Sequence, residues 1–189
     1  MRIVLLGAPG SGKGTQAAML QEVLDLPHIS TGALLRSAVK KETPVCLQAK
    51  DILGRGDFLP DEIMLHLIEE RLARPDVATS FLLDGYPRNL AQAEALDDLL
   101  TRLGKPLDEA IQSDVDPERI LARILRRQAE EHRSDDSEEV FRHRMEVYEE
   151  QTAPVADYYA ERGLLTRILG HGSPEDVHRL LNSVLDVDA

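Results

Sequence analysis

Apolar and polar positions along the chain follow two periods in turn. Short strand-like runs, the longest unbroken apolar stretches among them falling within 2–6 and 80–84, lie at residues 2–6, 27–29, 80–84, 109–115 and 164–169. Between them lie stretches with apolar residues three and four apart. One starts near Lys13 and carries Ala17, Leu20 and Leu24 on one side. Another, from about Asp61 to Leu72, pairs Ile63 with Leu67 and Met64 with Ile68, behind the start signals Pro60, Asp61 and Glu62. Asp116-Pro117-Glu118 and Ser173-Pro174-Glu175-Asp176 each read as an N-cap followed by Pro at the first helical position. Thr152 and Pro154 predict a break inside a helical stretch over 137–162, and Gly163 predicts its C-terminal stop. Alternation of strands and helices at this spacing favours right-handed βαβ crossovers and a parallel sheet.

Two regions interrupt the rhythm. Residues 30–59 predict two short helices with no strand after them, a small excursion from the sheet. Residues 127–136 are densely charged and almost without apolar side chains, which reads as an exposed loop. Both lie between sheet elements, where flaps can be inserted without disturbing the core. There are no internal repeats or low-complexity segments.

Length and composition narrow the class. The 189 residues suffice for one well-buried domain, and the 42% apolar and 30% charged fractions are those of an ordinary soluble protein. No apolar run approaches the roughly 18 residues of a membrane span. The N-terminal run is about five residues long and leads into a glycine loop, unlike a signal peptide. Cys46 is the only cysteine, which excludes disulfides within the chain and Cys-rich zinc sites and makes a cytoplasmic location the default. The net charge of −12 argues against general nucleic-acid binding or attachment to anionic lipid. Arginines nevertheless far outnumber lysines, and arginine suits bidentate phosphate contacts.

The candidate chemistry begins at the N-terminus. Arg2-Ile3-Val4-Leu5-Leu6 runs into Gly7-Ala8-Pro9-Gly10-Ser11-Gly12-Lys13-Gly14-Thr15, so a buried strand stops at a glycine loop and a lysine opens a helix. That layout binds phosphate: backbone N–H groups wrap the anion, and a helix N-terminus and an ammonium face it. The usual pattern has Ser or Thr directly after the Lys; here Gly14 intervenes and the hydroxyl arrives at Thr15. A second motif, Phe81-Leu82-Leu83-Asp84-Gly85-Tyr86-Pro87-Arg88, ends another apolar strand in a carboxylate able to hold Mg²⁺ or its waters. Taken alone, Asp84 fits a turn before Gly85 as well. Tyr86-Pro87 is a candidate cis peptide, and Arg88 leaves the strand end toward the crevice where open α/β sheets place ligands.

With Ser-Thr-Gly at 30–32, Gln92, the arginine-rich segment 119–144 and Thr152-Ala153-Pro154, these motifs resemble the adenylate kinases over essentially the whole chain. The Gly-Lys-Gly-Thr ending of the loop is that family's own variant. The resemblance implies a three-layer α/β/α P-loop fold with a five-stranded parallel sheet, a core of residues 1–29, 60–126 and 137–189, a monophosphate-binding segment at 30–59 and a short lid at 127–136. It implies reversible transfer from ATP to AMP giving two ADP, with Mg²⁺ accompanying ATP, no structural zinc, and action as a monomer. On the donor side it implies Gly10, Ser11, Gly12, Lys13, Gly14 and Thr15 around the phosphates, Arg123 on the adenine face, Arg127 at the phosphates and Gly172 in the loop meeting the base. On the acceptor side it implies Thr31, Gly32, Gly85 and Gln92 around AMP, Arg36 and Arg88 on its phosphate, and Arg133 and Arg144 as the arginines that close. Leu35, Leu53, Leu59 and Met64 would form an apolar wall, a position that ordinary core packing fits as well. Thr15 and Asp84 would act on Mg²⁺ mostly through water.

Two departures stand out. Ala33 occupies the position after Ser-Thr-Gly where the family carries an acidic residue, and the lid is the short form. The rival readings are a UMP or CMP kinase of the same fold, GTP in place of ATP as donor, a catalytically inactive nucleotide binder, and a nucleotide-dependent switch. Asp51-Ile52-Leu53-Gly54 matches the Asp-x-x-Gly of such switches, but it is not at a strand end and Asn-Lys-x-Asp is missing.

Overall fold

Ile3 and Leu5 point to one side of the first strand and Val4 and Leu6 to the other, and all four are buried. A strand apolar on both faces belongs inside a parallel sheet covered on both sides. The computed structural model describes residues 1–40, 59–131 and 138–186, without the side chains at 36, 38–40 and 126–131. In it β1 (Arg2–Leu6) is the central strand of five. Outward on one side lie β3 (Phe81–Asp84) and β2 (His28–Ser30), and on the other β4 (Glu109–Asp114) and β5 (Leu165–Leu169). Every pairing is parallel, as the sequence predicts.

The helices among the described residues are, in chain order, α1 (Lys13–Leu24), α2 (Thr31–Lys40), α3 (Asp61–Leu72), α4 (Leu90–Arg102), α5 (Pro117–Glu131), α6 (Glu138–Val147), α7 (Ala153–Glu161) and α8 (Pro174–Val184). They make the outer layers of an α/β/α sandwich. On one face Ile3, Leu5, Leu82 and Ile111 cluster with Ala17 and Leu20 of α1 and Val177 and Leu181 of α8. On the other, Val4, Leu6 and Leu83 cluster with Met64, Ile68 and Leu72 of α3, Leu96 and Leu100 of α4, and Val155 and Tyr159 of α7. A third cluster joins Ala8 to Ile120 and Ile124 of α5 and Phe141 of α6, fastening the first loop to a helix pair. Truncating a core residue such as Ile68 to Ala costs about 2–5 kcal/mol. No helix among the described residues is long and apolar enough to cross a membrane.

The helix ends follow local chemistry. Ser173 and Asp176 form a reciprocal capping box at α8. Gly163, at φ +68°, ends α7: its N–H donates to the Ala160 carbonyl, and the Leu164 N–H donates to that of Tyr159. The break expected near Thr152 is a π-helical turn over Tyr148–Thr152 between α6 and α7. Pro154 has no N–H for the carbonyl one turn back, so the helix widens there and continues. The loop expected from residue 127 does not begin there, because α5 runs to Glu131. Gln, Ala, Glu and Arg are good helix formers, and a charged surface does not oppose a helix. Residues 132–136 of that stretch lie outside the described residues. So do 41–58, which hold the second expected short helix, Cys46 and Asp51–Gly54.

The register aligns the strand ends. Leu5 pairs with Asp84, Ser30 with Asp84, Leu6 with Gln112 and Asp114 with Leu169. The segments that follow all emerge at one edge of the sheet. There the chain leaves β1 with its neighbours connected in opposite directions, the position at which doubly wound sheets open a crevice.

Candidate active site

That edge holds a crevice of about 1160 Å³. Its floor is the loop after β1. Gly12, at φ +99°, precedes α1, no side chain caps this helix and its first turn has no acidic residue. α4, by contrast, is capped by Asn89, and α8 by Ser173. A helix start without an oxygen supplied by its own chain presents amide hydrogens to an anion. Gly10 brings the loop close to α5: at φ +81°, a Cβ there would lie 2.8 Å from Ile124 Cγ1 and 2.9 Å from Ile120 Cγ2. The Lys13 ammonium folds back over the loop and donates to the carbonyls of Gly7 (2.7 Å) and Ala8 (2.9 Å). Thr15, in the first turn of α1, is exposed.

Asp84 closes the opposite wall, its side chain 14% exposed. Burial pushes its carboxyl up, but His28, Lys13 and Arg88 together outweigh burial and hold it below the usual carboxylate range. His28 Nε2 lies 3.7 Å from Asp84 Oδ2, beyond hydrogen-bond distance, and has no hydrogen-bond partner among the described residues. A Cβ at Gly14 would lie 3.8 Å from the same Oδ2. The residue that breaks the usual motif therefore faces the carboxylate, and its lack of a side chain keeps the space between them open.

The third wall is cationic. Arg88 Nε donates to the Gly85 carbonyl at 2.7 Å. Burial, and after it the charge of Arg144, lower the Arg88 pKa to about 10 against the opposing pull of Asp84, so Arg88 stays protonated at neutral pH. A dianion between Arg88 and Arg144 would relieve their repulsion. The backbone that carries Arg88 is held from three sides. Thr31, fully buried, donates its hydroxyl to the Gly85 carbonyl at 2.9 Å, and a Cβ on Gly85 (φ +84°) would fall 2.5 Å from that hydroxyl. The Tyr86–Pro87 peptide is cis, as expected. Thr152, at the end of the π-helical turn, donates to the Arg88 carbonyl at 2.7 Å.

On the remaining side Arg123 bridges two loops, donating from Nη1 to the Ser11 carbonyl and from Nη2 to that of Gly170, each at 3.1 Å. A Cβ at Gly170 would collide with Ser113 and Val115, which keeps this loop close to the end of β4.

Among the expected residues the crevice gathers Gly10 to Thr15, Gly32, Asp84, Gly85, Arg88, Arg123, Arg144 and Gly172. Thr31 lies beneath it, supporting Gly85. Leu35, Leu59 and Met64 belong to the larger hydrophobic core. Gln92 is buried, its amide engaged by Asp61 and by the Arg88 N–H. Arg36 lies on α2 and Arg127 on α5 with side chains outside the described residues, and Leu53 and Arg133 lie outside them altogether. Sequence reasoning passed over His28 beside Asp84 and read Asp61 only as a helix start. Of these, only the proximity of His28 to Ser-Thr-Gly at a strand end was a usable signal.

A family model described as "Adenylate kinase" matches residues 5–164. Among curated relatives, an adenylate kinase of Xanthomonas campestris pv. campestris (strain 8004) is 51% identical over 185 residues, covering 98% of this chain and 99% of the relative. One of Xanthomonas euvesicatoria pv. vesicatoria (strain 85-10) is 50% identical over 98% of this chain and 99% of its own length. One of Stenotrophomonas maltophilia (strain K279a) is 49% identical over 97% and 99%.

Proposed function

The chain belongs to the adenylate kinase family, and on that premise we propose that it transfers the terminal phosphoryl group of ATP to AMP, giving two ADP. The observation that carries this reading is one crevice lined by an uncapped, lysine-bearing phosphate loop, the Asp84 carboxylate and the Arg88–Arg144 pair. Such a crevice suits two phosphate chains meeting end to end. Action as a monomer in the cytoplasm, where ATP and AMP are at hand, belongs to the same proposal.

The acceptor needs no protein base. A phosphate monoester has a second pKa of about 6, so the AMP phosphate is largely dianionic at neutral pH. One of its oxygens forms a bond to the terminal phosphorus of ATP as the bond from that phosphorus to the β–γ bridging oxygen breaks. The electron pair stays on the departing β-phosphate. Catalysis is then alignment and charge neutralisation. Lys13 exchanges the Gly7 and Ala8 carbonyls for phosphate oxygens and follows the transferred group, while the loop amides from Gly10 to Thr15 hold the β-phosphate. Arg123 flanks the donor base, Gly172 lies beside it, and Arg127 meets the phosphates. Arg36 and Arg88 hold the AMP phosphate, Thr31, Gly32 and Gly85 shape its seat, Gln92 reads the base, and Arg133 and Arg144 complete the enclosure. Leu53, Leu59 and Met64 supply the apolar wall.

Adenylate kinases use Mg²⁺ with ATP, and the residues here suit it. Asp84, held ionised beside Lys13 and the open face of Gly14, and the exposed Thr15 hydroxyl offer the hard oxygens this ion takes. They would hold it mostly through water, and when bound it neutralises phosphate charge. We assign residues 30–59 to monophosphate binding and 127–136 to a short lid, with the core at 1–29, 60–126 and 137–189. With Ala33 in place of an acidic residue, no carboxylate at that position ties the monophosphate segment to the lid.

The test is a coupled assay of ADP formation from ATP and AMP with Mg²⁺, with UMP and CMP as alternative acceptors and GTP as alternative donor. Lys13→Met is expected to lower kcat by about 10²–10³-fold, and Arg88→Ala to raise the KM for AMP. No ADP from the wild type, undiminished activity after the Arg88 change, or faster turnover of a pyrimidine monophosphate would each refute the assignment.

A further inference from the structure

Gln92 sits in the first turn of α4, 1% exposed, with its amide clamped between two unlike partners. Its Oε1 accepts from the Arg88 backbone N–H at 2.8 Å. Its Nε2 donates to Asp61 Oδ1, across from it in the first turn of α3, at 2.6 Å. Each partner allows only one orientation. A backbone N–H can only donate, so it faces the amide oxygen; a carboxylate only accepts, so it faces the amide nitrogen. Asp61 is itself fixed, because Asn89 Nδ2 donates to both its oxygens at 3.1 and 3.2 Å while Asn89 Oδ1 accepts from the Gln92 N–H at 2.8 Å. Flipping the amide would turn Oε1 toward the carboxylate and Nε2 toward the Arg88 N–H, losing two hydrogen bonds and creating two repulsions.

One N–H and one lone pair of the Gln92 amide remain for a ligand. A purine with a 6-amino group presents a donor beside an acceptor ring nitrogen, and a 6-keto purine presents the reverse order. With the phosphate held at Arg88, the base arrives in one register, and an amide of fixed orientation favours one order over the other. We propose that Asp61 is a positioning residue: it sets the orientation of the Gln92 amide, and through it selects a 6-amino over a 6-keto purine monophosphate. The proposal rests on the reading of Gln92 as the group that meets the base.

The experiment compares kcat/KM for AMP and for inosine 5′-monophosphate in wild type, Asp61→Ala, Gln92→Ala and the double variant. Asp61→Ala is expected to lower the AMP-to-inosinate ratio about tenfold or more. The loss for AMP should appear in KM more than in kcat, and the change should have no further effect on the ratio in the Gln92→Ala background. Should Asp61→Ala not fold, Asp61→Leu carries the same test, since it roughly keeps the volume and removes both acceptor oxygens. An unchanged ratio, equal losses for both nucleotides, or the same drop in the Gln92→Ala background overturns the proposal. If Gln92→Ala leaves the ratio intact, the reading of Gln92 fails as well, an outcome distinct from failure at Asp61 alone.

Discussion

Replacing Gly10 with alanine tests whether the phosphate loop owes its shape to its closeness to α5. The left-handed conformation at φ +81° costs a residue with a Cβ about 1–2 kcal/mol. The added carbon would also meet Ile124 Cγ1 at 2.8 Å and both Ile120 Cγ2 and Ile124 Cδ1 at 2.9 Å, inside the 3.4 Å at which ordinary contact begins. Both isoleucines are at most 1% exposed, so neither side chain can swing away into solvent. Overpacking of this kind costs about 1–3 kcal/mol. The two effects sum to about 2–5 kcal/mol, a fall in Tm of about 4–20 °C for a chain of this size. Because relief must come from movement of the loop, the KM for ATP should rise too. Thermal unfolding and ATP kinetics of Gly10→Ala, Ile124→Ala and the double variant separate the causes. Ile124→Ala alone empties part of the core and costs about 2–5 kcal/mol, yet it removes two of the three atoms that the new methyl would strike. The double variant should therefore be more stable than the sum of the singles by about 1–3 kcal/mol. Additivity within about 0.5 kcal/mol, or a Gly10→Ala protein that melts with the wild type, would refute the steric argument.

Thr152→Val keeps the side-chain shape but removes the donor to the Arg88 carbonyl; at about 1–1.5 kcal/mol for the lost bond, the KM for AMP should rise about 5–10-fold, and unchanged AMP kinetics would mean that Thr152 does not hold Arg88 in place. At the far edge of the sheet, hydrogen bonds from Arg2, foremost those of its side chain, hold the Asp108 carboxyl below its usual range. That stabilisation is present above the unfolded pKa of about 3.9 and is lost as pH falls through the lower folded value. Asp108→Asn should therefore melt a few degrees below wild type at pH 7, consistent with about 1 kcal/mol or less for a half-exposed pair. The gap should close below about pH 4, and one that stayed constant with pH would show that Asp108 acts through something other than its charge.

Much of the fold was legible because its signals are local. A buried parallel strand needs apolar residues on both faces, and β1 and β3 carry such runs; the weaker strand-like segments around them also fall near the positions where the other three strands form. The phosphate loop was equally plain, since closely spaced glycines before a helix and the lysine that opens it are a pattern of neighbours. Gly163 and Ser173 announced helix ends for the same reason. The loop expected from residue 127 misled because charge density measures exposure, and an exposed segment of good helix formers continues a helix.

Within the site, the sequence by itself determined which groups are available: Lys13, the glycines around it, Asp84 and Arg88 on strand ends or just past them. Tertiary structure alone decided what those groups rest on. Asp61 and Gln92 are 31 residues apart, and Thr152 and Arg88 are 64 apart, yet each pair meets within hydrogen-bond distance. Sequence periodicity states which face of an element is buried, and nearby capping residues state where it ends. Neither states which polar side chain of one helix will find an acceptor on another, because that depends on how the packed layers bring the helices together. For Gly14 the two kinds of information meet: the sequence marks it as a departure from the motif, and the fold turns it toward the Asp84 carboxylate.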